Sequence, residues 1–561
     1  MTGNHPWLAH YPSGVPHQIS PDHSPTVVHI FEQALSRFGS RPALESFGKQ
    51  MTYAELGAAA HQIAAGLQKM NLQRGDRVAI MMPNVMVYEP VLFGILLAGL
   101  VVVNVNPQYT ARELVHQLND SGAKMLFVLE NFAHTVEKAI PELKTLEQTI
   151  VCSPGDFLGL KGKIINFVSA YVKRAVPAYH VRESQSFADF YGKARADQYR
   201  PAGVQPDDIA FLQYTGGTTG VSKGATLLHR NIAANVAQSA AWLEPQIDPH
   251  IEHVMLTALP LYHVLALTAC CLFMVRIGAK QVLVANPRDL PGLVKVLQSQ
   301  RFTLIVLVNT LYNLLCDQEG IAQVDFSQVK ACVAGGMATQ TSVAERWLKT
   351  SGKPIIEGYG LSETSPVASV NRLDIVECTG TIGYPVPSTI LSIRDLDGNP
   401  VPMGEPGEIC ISGPQVMAGY WQRPDETARV MTQDGFFRSG DVGIALSDGT
   451  FRIVDRLKDM ISVSGLKVFP NEVEDVLALH PHVLEAAVIG RNDPHSGEAV
   501  YAYVVRRDQT IDADELRKFC RERLAPYKVP KSIEFRAILP KTNVGKILRR
   551  ALRDEDQSQR G

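Results

Sequence analysis

The chain has 561 residues, of which 45% are hydrophobic and 20% are charged, as in an ordinary soluble globular protein. Its formal net charge of −2 at pH 7 gives no electrostatic field that would attract nucleic acid, so we expect no nucleic-acid partner. At roughly 150 residues per domain, the length predicts several folded units, or one large and one small.

The cysteines and the apolar stretches bear on compartment and membrane insertion. The eight cysteines are scattered and lack zinc-ligand spacing, which is typical of buried apolar residues in a reducing compartment. No Lys or Arg precedes Arg37 and no apolar segment occurs near the N-terminus, which argues against a signal peptide. Residues 90–111 and 254–275 are poor in charge, but Gly99 interrupts the first and Pro260 the second, so both are interpreted as buried core. We expect a cytoplasmic protein without transmembrane helices.

Strands alternate with helices from the N-terminus to about Gly380. Thr52 and Glu55 form a capping-box pattern at the start of one helix, and Ser24-Pro25 is typical of the start of another. The other predicted elements are helices at 88–98 and 111–119 and strands at 77–82, 101–105, 124–129, 208–212, 281–285, 304–308 and 331–334. This order predicts an α/β fold of mostly parallel sheets with helices on both faces.

The pattern changes at about Gly380, where Pro, Gly and Asp-Gly turns begin to separate short alternating segments. These segments predict a β-rich subdomain over residues 380–455. Beyond this subdomain the sequence predicts helices at 471–480 and 513–524 and extended segments at 486–489 and 500–505. We therefore predict an N-terminal domain at 1–455, a hinge at 456–459 and a small α+β C-terminal domain at 460–561.

One twelve-residue stretch has the composition of a phosphate-binding loop. Its residues are Gln213, Tyr214, Thr215, Gly216, Gly217, Thr218, Thr219, Gly220, Val221, Ser222, Lys223 and Gly224. Glycines let backbone N–H groups face an anion, hydroxyl groups add donors, and a lysine adds positive charge. A P-loop of the Walker type has glycine directly before the lysine, whereas Ser222 precedes Lys223 here. The alternative interpretation is a flexible surface turn.

Tyr214 to Gly224 resembles the signature loop of the acyl- and aminoacyl-adenylate-forming enzymes, which include acyl-CoA synthetases, luciferases and peptide-synthetase adenylation domains. Other motifs of this superfamily are matched, in order, by residues 259–263, 334–337, 357–363, 434–443 with 455–458, and 540–550. The length and the Tyr11-Pro12 region are similar to those of bacterial long-chain fatty-acid–CoA ligases. Arg438 and Ser439 depart from the family pattern, where histidine and threonine are more usual. The resemblance implies the adenylate-forming fold over nearly the whole chain, with a small mobile C-terminal domain.

The resemblance also implies which residues bind the nucleotide and the metal. It places adenine near Tyr359, in a pocket whose other residues are Gly335, Gly336, Glu357, Gly358, Gly360 and Ser362. It implies that Thr218 and Glu363 hold Mg²⁺ on the phosphates, and this ion prefers oxygen ligands. On the same basis, Asp441 accepts hydrogen bonds from the ribose and Arg456 contacts the ribose or phosphate. Without the resemblance, an Asp and an Arg in these settings are more typical of turns.

Two further residues are implied to act in catalysis, His263 at the junction of the acyl and phosphate sites and Lys546 on the reacting groups. Taken alone, His263 would be a buried core histidine, and Lys546 would belong to a solvated basic tail. A carboxylate attacking the α-phosphate of ATP meets like charge, so the site must supply cations. At an effective dielectric of ~20, a cation ~4 Å from an anion contributes about 4 kcal/mol, roughly a thousandfold in rate.

The function implied is ATP-dependent ligation of a fatty acid to CoA, feeding fatty-acid degradation. The carboxylate and MgATP give acyl-AMP and pyrophosphate, and CoA thiolate then displaces AMP, so the partners are fatty acid, ATP and CoA. The alternatives are a medium-chain or aryl-acid CoA ligase, a fatty-acyl-AMP ligase, or a non-catalytic regulator that binds nucleotide or acyl groups. The presence of Lys546 and Glu363 disfavours the regulator. Chain-length preference and oligomeric state stay open, and a homodimer is compatible with the sequence.

Lys161 to Val176 is a basic amphipathic stretch. Ile164, Ile165, Val168, Tyr171, Val172 and Val176 fall on one face of a helix, and the flanking cations are Lys161, Lys163, Lys173 and Arg174. Such a helix is typical of peripheral contact with an anionic membrane, here the cytoplasmic face of the inner membrane. The alternative is a helix whose apolar side packs on the domain core while its basic side is solvated.

Overall fold

The alternation of strands and helices produces two large sheets, a smaller antiparallel sheet and a C-terminal sheet. The structure is a computed structural model that describes residues 5–20, 26–215, 222–248, 250–508, 510–542 and 547–560. These residues belong to a large N-terminal domain and a small C-terminal domain.

The strands have the following bounds. They are β1 (Pro42–Ser46), β2 (Lys49–Thr52), β3 (Arg77–Met81), β4 (Val101–Asn104), β5 (Ala123–Leu129), β6 (Gln148–Cys152), β7 (Ser184–Ser186), β8 (Ile209–Thr215), β9 (Lys223–Leu228), β10 (Val254–Thr257), β11 (Lys280–Leu283), β12 (Leu304–Leu307), β13 (Ala331–Ala334), β14 (Ile355–Gly360), β15 (Val367–Val370), β16 (Tyr384–Pro385), β17 (Ile390–Arg394), β18 (Gly407–Ser412), β19 (Gly419–Tyr420), β20 (Phe437–Ala445), β21 (Phe451–Arg456), β22 (Ile461–Val463), β23 (Leu466–Val468), β24 (Val483–Asp493), β25 (Gly497–Arg506) and β26 (Ser532–Phe535).

The α-helices connect these strands and flank the sheets. They are α1 (Val27–Phe38), α2 (Tyr53–Gln68), α3 (Tyr88–Leu97), α4 (Ala111–Ser121), α5 (Ala133–Ala139), α6 (Gly159–Phe167), α7 (Phe187–Gly192), α8 (His229–Leu243), α9 (Phe273–Ile277), α10 (Leu290–Ser299), α11 (Asn309–Cys316), α12 (Thr341–Ser351), α13 (Pro424–Val430), α14 (Pro470–Ala478), α15 (Ala513–Arg521) and α16 (Arg549–Arg560). Two π-helical segments, Val168–Val172 and Ala266–Leu272, continue α6 and precede α9.

The two large sheets have eight and nine strands and are parallel at their centres. The eight-stranded sheet has the order β19-β9-β8-β4-β3-β5-β6-β7, and the nine-stranded sheet has the order β16-β15-β14-β13-β12-β10-β11-β1-β2. Central strands such as β4 and β12 are buried along their whole length, as expected for parallel strands covered on both faces. The predicted parallel α/β architecture is confirmed.

The smaller sheets confirm the change of pattern near Gly380. Strands β17, β18, β20 and β21 form an antiparallel four-stranded sheet joined by turns, as predicted for the β-rich subdomain. The C-terminal domain has a five-stranded sheet that carries α14 and α15, close to the predicted helices at 471–480 and 513–524. Its own apolar cluster includes Val473, Val488 and Leu516, so the small domain has a separate core.

Helix starts agree with the sequence in one case and differ in another. The capping box of Thr52 and Glu55 at the start of α2 is confirmed. Helix α1 begins at Val27, because the Thr26 side chain accepts a hydrogen bond from the His29 backbone N–H at 3.0 Å and caps the helix. The predicted opening at Ser24-Pro25 lies outside the described residues.

The basic stretch Lys161 to Val176 differs from the predicted single helix. The helical turns end at Val172, and Ile165 packs against the core whereas Ile164 and Tyr171 are exposed, so the predicted apolar residues do not share one environment. The apolar side chains exposed at helical spacing are Leu160, Ile164, Phe167 and Tyr171. The interpretation that the apolar side packs on the core therefore holds for Ile165 and is wrong for the exposed Ile164, Tyr171 and Val172.

The apolar stretches and the cysteines are largely as expected. Within the described part of the chain, no helix is long and apolar enough to cross a bilayer. All eight cysteines are free, and six of them are buried. Cys316 and Cys378 are only half-buried, so the expectation of burial is wrong for these two.

Candidate active site

A cavity of about 1530 Å³ lies at the carboxyl ends of strands from both large sheets. Ligands of open α/β sheets bind at this edge, because the loops that follow parallel strands meet there. The cavity is lined by the ends of β8, β13 and β14, by parts of β20 and β21, and by residues of the C-terminal domain. Among the described residues, the predicted site residues that line it are Gln213, Tyr214, Thr215, Lys223, His263, Gly335, Gly336, Glu357, Gly358, Tyr359, Gly360, Ser362, Glu363, Asp441 and Arg456.

The described ends of the signature loop, residues 213–224, belong to two antiparallel strands. Its first three residues end β8, its last two begin β9, and the two strands pair antiparallel with Thr215 opposite Lys223. Gly216, Gly217, Thr218, Thr219, Gly220 and Val221 lie outside the described residues. The described ends of the loop come together at the cavity, as a phosphate-binding turn requires.

Both ends of this hairpin are held by hydrogen bonds from the surrounding chain. The Tyr214 hydroxyl donates to Asp120 at 2.7 Å, and the Gln213 side chain donates to the carbonyl of Tyr262 at 2.8 Å. On the returning strand, the carbonyl of Ser222 accepts from His116 at 2.9 Å, and that of Gly224 accepts from the Trp421 backbone N–H at 2.8 Å.

Glu363 is a buried carboxylate that faces the cavity. It follows β14, and the Tyr420 hydroxyl donates to its Oε1 at 2.7 Å. Burial raises the pKa of Glu363 above its usual value, while the hydrogen bond from Tyr420 acts in the opposite direction. A buried oxygen donor of this kind suits a hard divalent cation, which would favour the charged carboxylate.

The end of β14 carries residues that are predicted to lie near adenine. Glu357 is buried, accepts a hydrogen bond from the Cys378 thiol at 3.3 Å, and has its pKa raised to about 7 by burial. Gly360 lies so close to the following chain that a Cβ atom there would overlap the carbonyl oxygen of Pro366. Only glycine fits this position, which explains the residue type without a direct role in binding.

Asp441 is engaged on both carboxylate oxygens. Oδ2 accepts from the Tyr359 hydroxyl at 2.7 Å, and Oδ1 pairs with Arg456 Nε at 2.6 Å. Each carboxylate oxygen has a second lone pair, so the geometry leaves room for two more donors such as ribose hydroxyls. Tyr359 and Arg456, predicted to contact nucleotide, here also orient Asp441.

His263 lines the cavity, which has both polar and apolar lining residues. Its Nδ1 accepts from the Leu265 backbone N–H at 3.4 Å. The apolar part is lined by Trp242 and Leu243 of α8, Met255 of β10, Ala269 of the second π-helical segment, Phe273 and Met274 of α9, and Leu304 and Ile305 of β12. This apolar lining carries no motif that sequence inspection singled out.

Charged residues dominate the side of the cavity that the C-terminal domain contributes. Arg549 contacts Glu474 through Nε at 2.9 Å and through a second nitrogen at 2.6 Å, and its third nitrogen lies 3.3 Å from Asp455. Burial lowers the pKa of Lys458 to about 8. Lys546 lies outside the described residues, between the described positions 542 and 547.

Several contacts at the site have no counterpart among the sequence predictions. Three residues with such contacts were not predicted as site residues. Asp120 accepts a hydrogen bond from Tyr214, Tyr420 donates one to Glu363, and Arg549 lies beside Asp455. Arg438, which departs from the family pattern, pairs with Glu408 at 2.8 Å beside the cavity. For Tyr420, the one local feature of the sequence that could have indicated a role is the aromatic Gly-Tyr-Trp run in which it lies.

Comparison with known proteins gives matches over nearly the whole chain. A long-chain-fatty-acid–CoA ligase of Escherichia coli O6:H1 is 50% identical over 551 residues, covering 98% of each chain. A feruloyl-CoA synthase of an Amycolatopsis species is 36% identical and covers 91% of this chain and 95% of its own. The solved structure of an anthranilate CoA ligase with anthranoyl-AMP has a TM-score of 0.83 at 25% identity and covers 94% and 97%. The model of the AMP-binding enzyme family matches residues 31–421 and that of the AMP-binding enzyme C-terminal domain matches residues 472–546, so the chain belongs to the AMP-binding enzyme family.

Proposed function

We propose that this protein is a long-chain fatty-acid–CoA ligase that works through an acyl-adenylate. The observation that carries the proposal is one cavity in which an apolar part continues into a polar part bearing the signature hairpin, Glu363 and Asp441. A fatty acid fits such a cavity with its chain in the apolar part and its carboxylate near His263. Each buried methylene contributes about 0.8 kcal/mol, so a long apolar lining favours long acids.

The chemistry runs in two half-reactions. The carboxylate oxygen attacks the α-phosphorus of ATP, the bond to the β-phosphate oxygen breaks, and pyrophosphate leaves. The CoA thiolate then attacks the acyl carbonyl carbon, and AMP leaves with the electron pair of the broken acyl–phosphate bond. In this proposal Asp441 and Arg456 hold the ribose, Lys546 stabilises charge at the attack, and residues 456–459 form the hinge between the domains.

The residues present fit a single Mg²⁺ ion held with the phosphates. The ion usually takes only one or two protein carboxylates together with phosphate oxygens, and Glu363 offers one buried, oriented carboxylate. Groups of three or more His, Cys, Asp or Glu that would form an all-protein metal site are absent from the described residues. When bound, Mg²⁺ would neutralise phosphate charge, with Glu363 and Thr218 as its proposed protein ligands.

The test is ATP–pyrophosphate exchange with acids of four to eighteen carbons, followed by thioester formation with and without CoA. We expect exchange to rise with chain length and thioester to form only with CoA. Exchange that is strongest with aryl acids would favour an aryl-acid ligase, and acyl-AMP that CoA does not consume would favour a fatty-acyl-AMP ligase. Ala269→Leu should raise the KM for long acids several-fold by narrowing the apolar part, whereas Ala269→Ser adds almost no volume and should not.

We also propose peripheral contact with an anionic membrane through the exposed face of α6. Leu160 is 80% exposed and Tyr171 is 73% exposed, and Ile164 and Phe167 lie between them on the same face. Phe47, at the turn between β1 and β2, is also exposed and lies beside this helix, because Lys161 donates to its carbonyl. Apolar side chains flanked by cations are the features that bind an interfacial helix to lipid.

The cations of this surface are Lys163, Lys173 and Arg174, since Lys161 is bonded to Phe47. Each contributes roughly 1 kcal/mol near an anionic bilayer, so three give about 3 kcal/mol before apolar insertion is counted. Replacing the three with Gln should weaken sedimentation with phosphatidylglycerol vesicles and slow turnover of long acids presented in them. The same change at Lys138, Lys144 and Lys295, exposed cations elsewhere, is the matched control. If both triple variants lose vesicle binding equally, the effect depends only on overall charge and the assignment to α6 is overturned.

A further inference from the structure

The lysine of the signature loop has a counterion outside the loop. Lys223 Nζ forms an ion pair with the carboxylate of Glu426, and Nζ lies 5.3 Å from the centre of the Tyr420 ring. The two paired side chains are 30% and 29% exposed. Lys223 lines the cavity, whereas Glu426 belongs to α13 behind it. The cation that would meet phosphate is therefore already paired with a carboxylate.

Glu426 is fixed in place by the start of its helix and by a second cation. Helix α13 begins at Pro424, and Glu426 lies in its first turn, where the positive end of the helix dipole favours a carboxylate. Arg423 Nε lies 3.9 Å from Glu426 Oε1, and the Arg423 guanidinium also pairs with Asp120. Glu426 can therefore keep its position when Lys223 leaves it.

The same group of contacts reaches both strands of the hairpin. Asp120 accepts the hydrogen bond from Tyr214 at the end of β8, and Lys223 begins β9. Tyr420, whose ring lies beside Lys223, donates to Glu363. Arg423, Glu426 and Tyr420 belong to one short segment, residues 420–426, which thus contacts the loop cation and the proposed metal ligand together.

We propose that Glu426 is a positioning residue that holds Lys223 at the cavity wall and competes with the phosphates of ATP and pyrophosphate for it. A polyphosphate carries more negative charge than one carboxylate, so it displaces Glu426 when it binds. When pyrophosphate leaves, Glu426 pairs with Lys223 again. The counterion thereby lowers the affinity for nucleotide and for pyrophosphate and favours release of the product.

Removing the charge of Glu426 should therefore tighten phosphate binding. Glu426→Gln keeps the shape of the side chain and should lower the Kd for MgATP and the inhibition constant for pyrophosphate about threefold to fivefold, the range expected of a part-exposed ion pair. The KM for MgATP should fall by a similar factor while the KM for the fatty acid stays constant. Glu426→Asp retains the charge and should restore most of the original Kd.

Asp425 provides the matched control. It is exposed, lies in the same first turn of α13 and carries the same charge. Asp425→Asn therefore removes the same net charge, and the same kind of interaction with the helix dipole, as Glu426→Gln does. Calorimetric titration with MgATP, without acid or CoA, compares the two variants. The inference rests on the proposed adenylation, but this titration involves no fatty acid, so its failure would leave the ligase proposal standing and is distinguishable from failure of that proposal.

The decisive comparison is made in a chain that lacks the lysine. Lys223→Met should raise the Kd for MgATP, and adding Glu426→Gln to it should change the Kd less than Glu426→Gln does alone. Equal effects of Glu426→Gln with and without Lys223, or equal effects of Glu426→Gln and Asp425→Asn, would show general electrostatics and overturn the proposal. Unchanged thermal unfolding of the variants excludes misfolding as the cause.

Discussion

The two sides of the cavity accommodate buried charge differently. On the hairpin side, formed by the signature hairpin together with β14 and the residues that follow it, two buried carboxylates, Glu363 and Glu357, accept hydrogen bonds from an uncharged hydroxyl and an uncharged thiol. Burial raises the pKa of each. On the side of the hinge, Asp455 and Asp459 lie within 3.4 Å of guanidinium groups from the C-terminal domain.

This difference indicates what each side is built to do. Carboxylates that have only neutral donors are stabilised by a cation that arrives with the substrate, so the hairpin side suits a metal–nucleotide complex. The hinge side has charged partners of its own: burial acts to raise the pKa of Asp459, but the hydrogen bond from Arg553 and the charge of Arg549 outweigh burial and lower it. At Asp455 burial outweighs the charge of Arg549 and the pKa is raised. The charges of the hinge side are therefore engaged in contacts between the segment 455–459 and the C-terminal domain.

The largest effect is expected from removing Lys546, the proposed catalytic cation. Lys546→Ala should lower adenylation by about a thousandfold, the value of one cation close to the attacking carboxylate and phosphate. Thioester formation from synthetic acyl-AMP should be spared, because attack on the α-phosphate is then already complete. Rapid-quench assays of each half-reaction measure both. Lys531→Ala, in the same basic segment, should leave both rates near normal, and equal loss of both rates in Lys546→Ala would contradict the assignment.

Arg549→Met tests whether the hinge side is held by its own ion pairs. The variant leaves Glu474 and Asp455 buried without their guanidinium, which should destabilise the C-terminal domain by about 3 kcal/mol. Hydrogen exchange of residues 470–506 measures the loss. Arg550→Met removes a charge that is 53% exposed and should change exchange little. If the two variants behave alike, the pairs do not hold the domain.

Glu363→Gln tests the opposite property of the hairpin side. Without the negative charge, turnover should fall by about a hundredfold and the Mg²⁺ concentration for half-maximal rate should rise. Tyr420→Phe removes only the hydroxyl that orients the carboxylate and should cost about tenfold, since a hydrogen bond to a charged group contributes roughly 1.5 kcal/mol. Full activity of Glu363→Gln at limiting Mg²⁺ would remove this residue from the metal site.

The sequence predicted the elements of the hairpin side better than their contacts. Strands such as β3, β5 and β13 begin and end within one or two residues of the predicted bounds, because buried strands are continuous apolar runs. The bonds that orient the site join residues far apart in the chain, 57 positions for Tyr420 to Glu363 and 94 for Tyr214 to Asp120. The contact of Tyr420 depends on the antiparallel addition of β19 to β9, which leaves no periodic signal in either segment.

The hinge side illustrates the same limit in charged residues. The basic run from Lys528 to Arg553 was open to interpretation as a solvated tail, yet Lys528, Lys541 and Arg549 are paired with Glu472, Glu485 and Glu474. These acids lie in α14 and β24, at least 56 positions earlier in the chain. Charge patterning within the run therefore could not reveal its partners, because they come from the tertiary fold.

The smallest effect is expected at Glu357, and it concerns stability rather than rate. The pKa of this carboxyl is about 7 in the folded chain against an ordinary value of 4.5. Between these values the folded state binds more protons than the unfolded state. The contribution of the protonated Glu357 carboxyl to the stability of the fold is therefore fully present below pH 4.5 and is lost as pH rises through 7. Glu357→Gln removes this titration and should be more stable than the parent by about 2 kcal/mol at pH 8, with the difference shrinking toward pH 5. Thermal unfolding from pH 5 to pH 8 measures the difference, and Glu345→Gln, at an exposed position, should show none. A difference that does not vary with pH would mean that Glu357 stays ionised in the folded chain, and that neutral donors suffice to hold a buried charge on the hairpin side.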